Sequence, residues 1–259
     1  MLQIAKLKSI IKQVPLFWKN IIAAQFKCTV VHPQHNIFYN GSDVNIYNCI
    51  SKDFYSILIS DKVRLPKGMV NWCLEYELSH LQIVTSFTFA KECTSSIFNR
   101  VFQYKISTNI LPTNKYLEKY KVKSEDTCPN CLVECDSIIH RLYDCIKVVP
   151  IISYIFAYLI ENCQAINKIN MLDFLFGIPG QSNKGVNHVL LELKKKLFYS
   201  LLTDSNPLIF SEEFKNDIIY IMIKEKEIAI KKGCVLDFYA KWENLIYIYD
   251  FRGPDLIII

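Results

Sequence analysis

Glycine is scarce, at 7 residues in 259. An all-β chain of tight turns leans on residues that accept positive φ, so this composition argues against one. Arginine is nearly missing as well: Arg64, Arg100, Arg141 and Arg252 are the only four, and lysine makes up the rest of the 30 cationic residues. Lysine is a compact point charge that reads planar base edges poorly. A lysine-dominated surface therefore suits phosphate backbones better than bases. The longest apolar run, VVPIISYIFAYLI from Val148, falls short of the ~20 residues a bilayer requires and carries Pro150 near its start. The first residues, MLQIAKLKSIIKQVPLFW, scatter lysine through apolar positions and lack the clean apolar core and small-residue cleavage site of a signal peptide. No phosphate-binding G-x-x-x-x-G-K-[ST], nucleophile-elbow G-x-S-x-G or metalloprotease H-E-x-x-H occurs, and no internal repeat or low-complexity tract. The expectation is an intracellular protein, in cytoplasm or nucleus, with no membrane partner.

What is abundant is apolar side chain and cysteine. Hydrophobic residues make up 51% of the chain, enough for a large core and against disorder. The net charge of +5 permits an anionic partner without requiring one. Ten cysteines in a chain without secretory features point to metal rather than disulfides, wherever cysteine and histidine cluster.

Asn40–Gly41 between two short apolar–aromatic runs predicts a β-hairpin. Helices are expected over residues 2–13, 16–24, 52–60, 70–78 and 114–120, with 81–90 ambiguous between helix and strand because QIVTSFTF is β-branched and aromatic. Thr94 is the expected cap of a helix whose apolar face is Phe98, Val101, Phe102, Ile106 and Ile110, ended by Pro112. Further helices are expected over 151–162, 171–176 and 238–249. Val186, Val189, Leu190, Leu193, Leu197 and Leu201 mark another, and one capped by Ser211 ends at Lys231–Lys232–Gly233. The fold class is mainly α, a helical domain with a small N-terminal β-hairpin and an inserted CCHC zinc knuckle. Three regions are expected: 1–66 with the hairpin, 67–150 with helices and the knuckle at 124–147, and 151–259, helical.

The knuckle is SEDTCPNCLVECDSIIHRLYDC, residues 124–145. Cys128, Cys131, His140 and Cys145 read C-x2-C-x8-H-x4-C. A C-x2-C turn aims two thiolates at one ion, and the second pair comes from a separate element, here a helix capped by Asp136 or Ser137. Five residues turn an α-helix by ~500°, well off one face, so the helix must loosen or end before Cys145. Three thiolates and one imidazole around Zn²⁺ leave a net −1, with Lys121, Lys123, Arg141 and Lys147 nearby to offset it. Four good ligands leave no open position, so the single zinc is expected to be structural. Cys135 is a competing ligand, four residues past Cys131. Cys28, His32 and His35 find no fourth ligand nearby, and Pro33 interrupts them. His188 adjoins an apolar stripe and reads as a packing residue, and Lys194–Lys196 as a solvated face.

Ahead of the knuckle, YKISTNILPTNKYLEKYKVK interleaves Lys105, Lys115, Lys119, Lys121 and Lys123 with Tyr104, Tyr116 and Tyr120. Lysines neutralise phosphates and tyrosines stack on unpaired bases. The same pattern also describes a solvated helical face whose tyrosines serve the core.

These parts together resemble the zinc-binding region downstream of the reverse transcriptase in non-LTR, LINE-type retrotransposon polyproteins. That region has an aromatic-led helix (here residues 102–106), then L-x-T-N-x-x-L (111–117), C-x-x-C (128–131), an acidic–Ser/Thr step (136–137) and H-x4-C (140–145). Looser matches are VPLFWKNII near the start, NHVLLELKKKLFY at Asn187 and YAKW before Glu243. Arg141 stands where the family has leucine, and Ile152 near its usual tryptophan. The family's polymerase relies on paired aspartates that hold two metal ions, and this sequence has no Y/F-x-D-D. The resemblance implies a non-catalytic tail. It would help hold template RNA or target DNA, with Lys115, Lys119, Lys121, Lys123 and Arg141 on phosphates and a reverse transcriptase domain of the same or another polypeptide as partner. A scaffold that docks on such a domain, with zinc tying helices together and no nucleic-acid contact, is the rival reading.

Overall fold

Ser79 settles what the composition of residues 81–90 leaves open. In the computed structural model of the protein, which describes residues 36–39, 42–45, 65–163, 166–203 and 205–245, this segment is helix. Ser79 and Gln82 form a capping box: the Ser79 hydroxyl accepts the Gln82 N–H, and the Ser79 N–H donates to the Gln82 side chain at 2.8 Å. Two otherwise orphaned donors are satisfied at the start of the segment, which outweighs its β-branched composition.

The described part is mainly α-helical. Its helices are α1 (Lys67–Tyr76), α2 (His80–Cys93), α3 (Ile97–Ser107), α4 (Asn114–Lys119), α5 (Val149–Asn162), α6 (Met171–Phe176), α7 (Lys184–Tyr199), α8 (Pro207–Lys232) and α9 (Val235–Trp242). They belong to one compact unit that begins at Leu65. In the preceding unit, strands β1 (Asn36–Tyr39) and β2 (Ser42–Asn45) pair antiparallel, with Asn36 opposite Asn45. The turn expected at Asn40–Gly41, the helices expected over 2–13, 16–24 and 52–60, and Cys28, His32 and His35 lie outside the described residues. Among the described residues, no helix is long and apolar enough to cross a membrane.

Helix α7 is the hub, packed against α2, α3, α8 and α9. Val186, Val189, Leu190, Leu193 and Leu197 are all buried along it, as their 3.6-residue period predicts. Leu201 falls beyond the helix end and is exposed. Helix α8 ends as its sequence predicts, with Gly233 in the left-handed region at φ 70° and its N–H returned to the Ala229 and Ile230 carbonyls. Its start lies earlier than Ser211. Asn206 accepts the Leu208 N–H at 2.9 Å, and Pro207 takes the first helical position, where a missing N–H costs nothing.

Helix α3 departs most from its sequence pattern. Its cap is Ser96, while Thr94 closes α2 and its hydroxyl accepts the Ser96 N–H. Phe102 and Ile106 are buried, but Phe98 is 84% exposed and Val101 faces out. Asn99 and Gln103 take their place inside, because α7 brings partners to them. Asn99 donates to Glu192 and accepts from Lys195, and Gln103 accepts from Lys194 at 2.6 Å. The other end of α3 receives α1: Trp72 donates its indole N–H to the Ile106 carbonyl, and a Cβ on Gly68 would stand 1.7 Å from the Thr108 oxygen. Only glycine lets those two backbones meet.

Lys194 is therefore not on a solvated face. It is 1% exposed, bonded to Gln103 and the Leu175 carbonyl and flanked by Phe89 and Phe174. Burial pulls its pKa down to about 7. The unfolded chain then binds more protons than the folded one between about pH 7 and 10.5, so stability rises with pH across that window. Between about pH 7.5 and 9.5 this one amine contributes a rise of about 2 kcal/mol. Denaturant midpoints measured over that range should climb more steeply for the natural protein than for Lys194→Met. Parallel curves would contradict the account.

Candidate metal centre

Cys128 and Cys131 sit on a tight turn tied by an antiparallel bridge between Thr127 and Cys135. The Cys128 N–H donates to the Glu134 carbonyl, and the Leu132 N–H returns to the Cys128 carbonyl at 2.9 Å. Leu132 succeeds the second cysteine at φ 58°, a left-handed conformation that reverses the chain. The second pair of side chains comes from the segment starting at Ile138. Ser137 caps it, accepting the His140 N–H at 3.0 Å.

The step from His140 to Cys145 is made by a π-helical turn, His140–Asp144, closed by the Cys145 N–H on the His140 carbonyl at 2.9 Å. This is the loosening that the x4 spacing demands. One extra residue in the turn brings Cys145 back over His140, where a regular α-helix would carry it past.

The outcome is a convergent Cys3His set. The ligand atoms of Cys128, Cys131, His140 and Cys145 all lie within 4.8 Å of one another. Cys128 Sγ is 4.0 Å from Cys145 Sγ, and Cys131 Sγ is 3.3 Å from His140 Nε2. A tetrahedral zinc at ordinary bond lengths sets S···S near ~3.8 Å and S···N near ~3.6 Å. The donor set can thus hold a metal ion and is consistent with zinc. His140 turns Nε2 inward and Nδ1 toward the exposed Glu134 carboxylate, 4.0 Å away and beyond hydrogen-bond distance.

The backbone is also arranged for sulfur anions. Backbone N–H groups near the sulfurs favour their anions: those of Asn130 and Cys131 for Cys128, those of Val133 and Glu134 for Cys131, and that of Lys147 for Cys145. Burial pushes the Cys128 thiol up to about 12 and raises that of Cys145. Burial also opposes ionisation of Cys131, yet its two N–H donors and His140 bring it down to about 6. Convergent thiols whose anions nearby N–H groups favour suit a cation. Cys135 stands apart. Its thiol faces Asp126 and is pushed up to about 11, first by burial and then by that carboxylate. All eight described cysteines are free thiols.

Arg141 is placed inside. It is 8% exposed, it holds the fully buried Asp136 through Nε at 2.6 Å and through Nη2, and it lies over the Phe198 ring at 5.2 Å. Such a guanidinium presents no free charge to a phosphate. Sequence reasoning gave Asp136 only a capping role. Its carboxylate also accepts the Asn114 N–H at 2.6 Å, which bonds the first turn of α4 to the knuckle. Asn114 adds a bond to the Thr127 carbonyl. The only available clue is an acidic residue five positions before an arginine. Asn130 was missed too: buried between the cysteines, it accepts the Leu202 N–H and clips the knuckle to the end of α7.

Lys115, Lys119, Lys121 and Lys123 are all exposed, on α4 and the segment after it. Lys123 reaches the Asn114 side chain at 2.8 Å. The four lysines thus flank the Cys3His set without entering it. Neither known protein families nor curated proteins give a match to this chain.

Proposed function

We propose that the chain is a zinc-ordered nucleic-acid-binding module, the non-catalytic tail of a non-LTR retrotransposon reverse transcriptase. One structural Zn²⁺ is bound by Cys128, Cys131, His140 and Cys145. Lys115, Lys119, Lys121 and Lys123 meet the phosphate backbone of RNA or DNA. The observation that carries this reading is the convergence of four ligand atoms within 4.8 Å, with the lysine-bearing α4 bonded to the same cluster through Asp136. Four protein ligands fill a tetrahedral zinc and leave no position for a reacting water, which fits a structural ion. Arg141, engaged with Asp136, has no part in phosphate contact here. The intracellular setting and the polymerase partner belong to the same proposal.

Salt dependence tests it. Zinc-loaded protein should bind RNA or single-stranded DNA at low salt, and the log–log slope against salt should be negative. Each lysine-to-glutamine change among the four should weaken binding across all sequences and reduce the slope by about one contact. Flat salt dependence would end the proposal. The second reading, docking on a polymerase domain without nucleic-acid contact, is favoured by Ile97 and Phe98, which stand exposed on α3. It predicts retention on an immobilised polymerase domain by a protein that ignores nucleic acid at any salt.

A further inference from the structure

Beside the knuckle, α1 and α4 wall a groove of about 860 Å³, within the size range of sites that enclose a small molecule. Its floor includes Ser137, Ile138 and Ile139, from the same segment that delivers His140. Tyrosines give it its character. Tyr116 and Tyr120 stand together on the α4 side, ring centroids 4.8 Å apart, with Tyr120 largely exposed. Tyr104 enters from the end of α3 and Tyr76 from α1. Lysines edge both walls: Lys67 at the start of α1, and Lys115 and Lys119 across from it. Glu75 and Asp144 also line the groove, so its formal charge is three positive less two negative, close to balance.

That balance decides between ligand classes. A polymer offering only negative charge gains little from a nearly neutral groove. Aromatic faces with a few cations at the rim suit a ligand that is itself aromatic and carries spaced anions. Bases inside a duplex keep their faces stacked on each other and cannot reach side chains in a concavity, whereas unpaired bases can.

We infer that this groove binds an unpaired segment of nucleic acid, its bases on Tyr116 and Tyr120 and its phosphates between Lys67 on one wall and Lys115 and Lys119 on the other. The inference rests on the proposed nucleic-acid role and narrows it to single strands and to this groove. RNA and DNA share the chemistry named, and separate probes tell them apart.

The probes are a short labelled single-stranded RNA, the DNA of the same sequence, its duplex, and an acidic peptide of similar charge, each titrated onto the zinc-loaded full chain. A single strand should bind more tightly than the duplex and the peptide. Tyr120→Leu, at an exposed position, should weaken single-strand binding roughly tenfold to a hundredfold and leave zinc content unchanged. Lys67→Glu is the decisive second variant. It lies far from the lysine segment in sequence, at a helix start where a carboxylate is tolerated, and should also weaken single-strand binding. If Lys121→Gln and Lys123→Gln weaken binding but Tyr120→Leu and Lys67→Glu do not, the groove is overturned and the broader nucleic-acid reading stands. Equal or tighter binding of the duplex or the peptide overturns the groove as well. No binding of any nucleic acid at low salt overturns both.

Discussion

Stripping the metal with a chelator, or replacing Cys128 with serine, is expected to release residues 124–145 from their fold while the helices around α7 stay folded. The protein as isolated should carry one zinc per chain, and Cys128→Ser should carry far less. Ordered thiolate sites of this type contribute on the order of 10 kcal/mol to the structure they close, more than the Arg141–Asp136 pair and the Asn130 bond to Leu202 that also hold the segment. The knuckle has one isolated bridge, a turn and a single π-helical turn of its own. Its three candidate ligand sulfurs lie near backbone N–H groups that favour their anions, an interaction lost once the thiols are protonated. Hydrogen exchange read peptide by peptide is the measurement. Protection should vanish across the knuckle and thin out in α4, whose first turn is bonded to Asp136 and to the Thr127 carbonyl. It should persist in α7, which carries its own buried stripe. Unchanged exchange over the knuckle after complete removal of zinc would refute a structural metal.

Arg141→Ala should cost roughly 3–5 kcal/mol, the usual consequence of leaving a buried charge without its partner. Asp136 has no exposure at all, and the guanidinium supplies two of its hydrogen bonds. The change also removes the guanidinium from above Phe198. Chemical denaturation should report a lower midpoint, and Asp136→Asn should likewise destabilise. A cycle that includes the double variant should show strong coupling, because either single change strands the other group. A loss below about 1 kcal/mol, typical of exposed ion pairs, would mean that the pair is hydrated and that Arg141 is free for another role.

How far the sequence could be read differs from element to element. The stripe of α7 was legible because its own positions are apolar and recur at helical period, and that period alone predicts their burial. On α3 the same reasoning fails: Asn99 and Gln103 are inside because Glu192, Lys194 and Lys195 meet them, and a partner on a helix some ninety residues later leaves no mark on the local pattern. Lys194 looked solvated for the same reason. The convergence of the Cys3His set was legible because chelation constrains short spacings, and spacings are written in the chain. The x4 interval even announced that the helix had to loosen or end before Cys145. What Arg141 does was not legible, since nothing local distinguishes a guanidinium aimed at solvent from one turned back on a carboxylate. The groove beside α4 was half-visible, as alternating lysine and tyrosine. Its second wall comes from α1, about fifty residues earlier, and only the close approach allowed by Gly68 puts it there.

The widened turn at His140–Asp144 has a mechanical consequence. A backbone left to itself prefers to wind at 3.6 residues per revolution, and a single residue of rewinding rotates the chain beyond it by about 100°. An ion bound by the four side chains would therefore act as a clasp on a widened coil, keeping His140 and Cys145 on one side. Its removal would let the coil tighten and carry the Cys145 sulfur round the axis, away from its three companions.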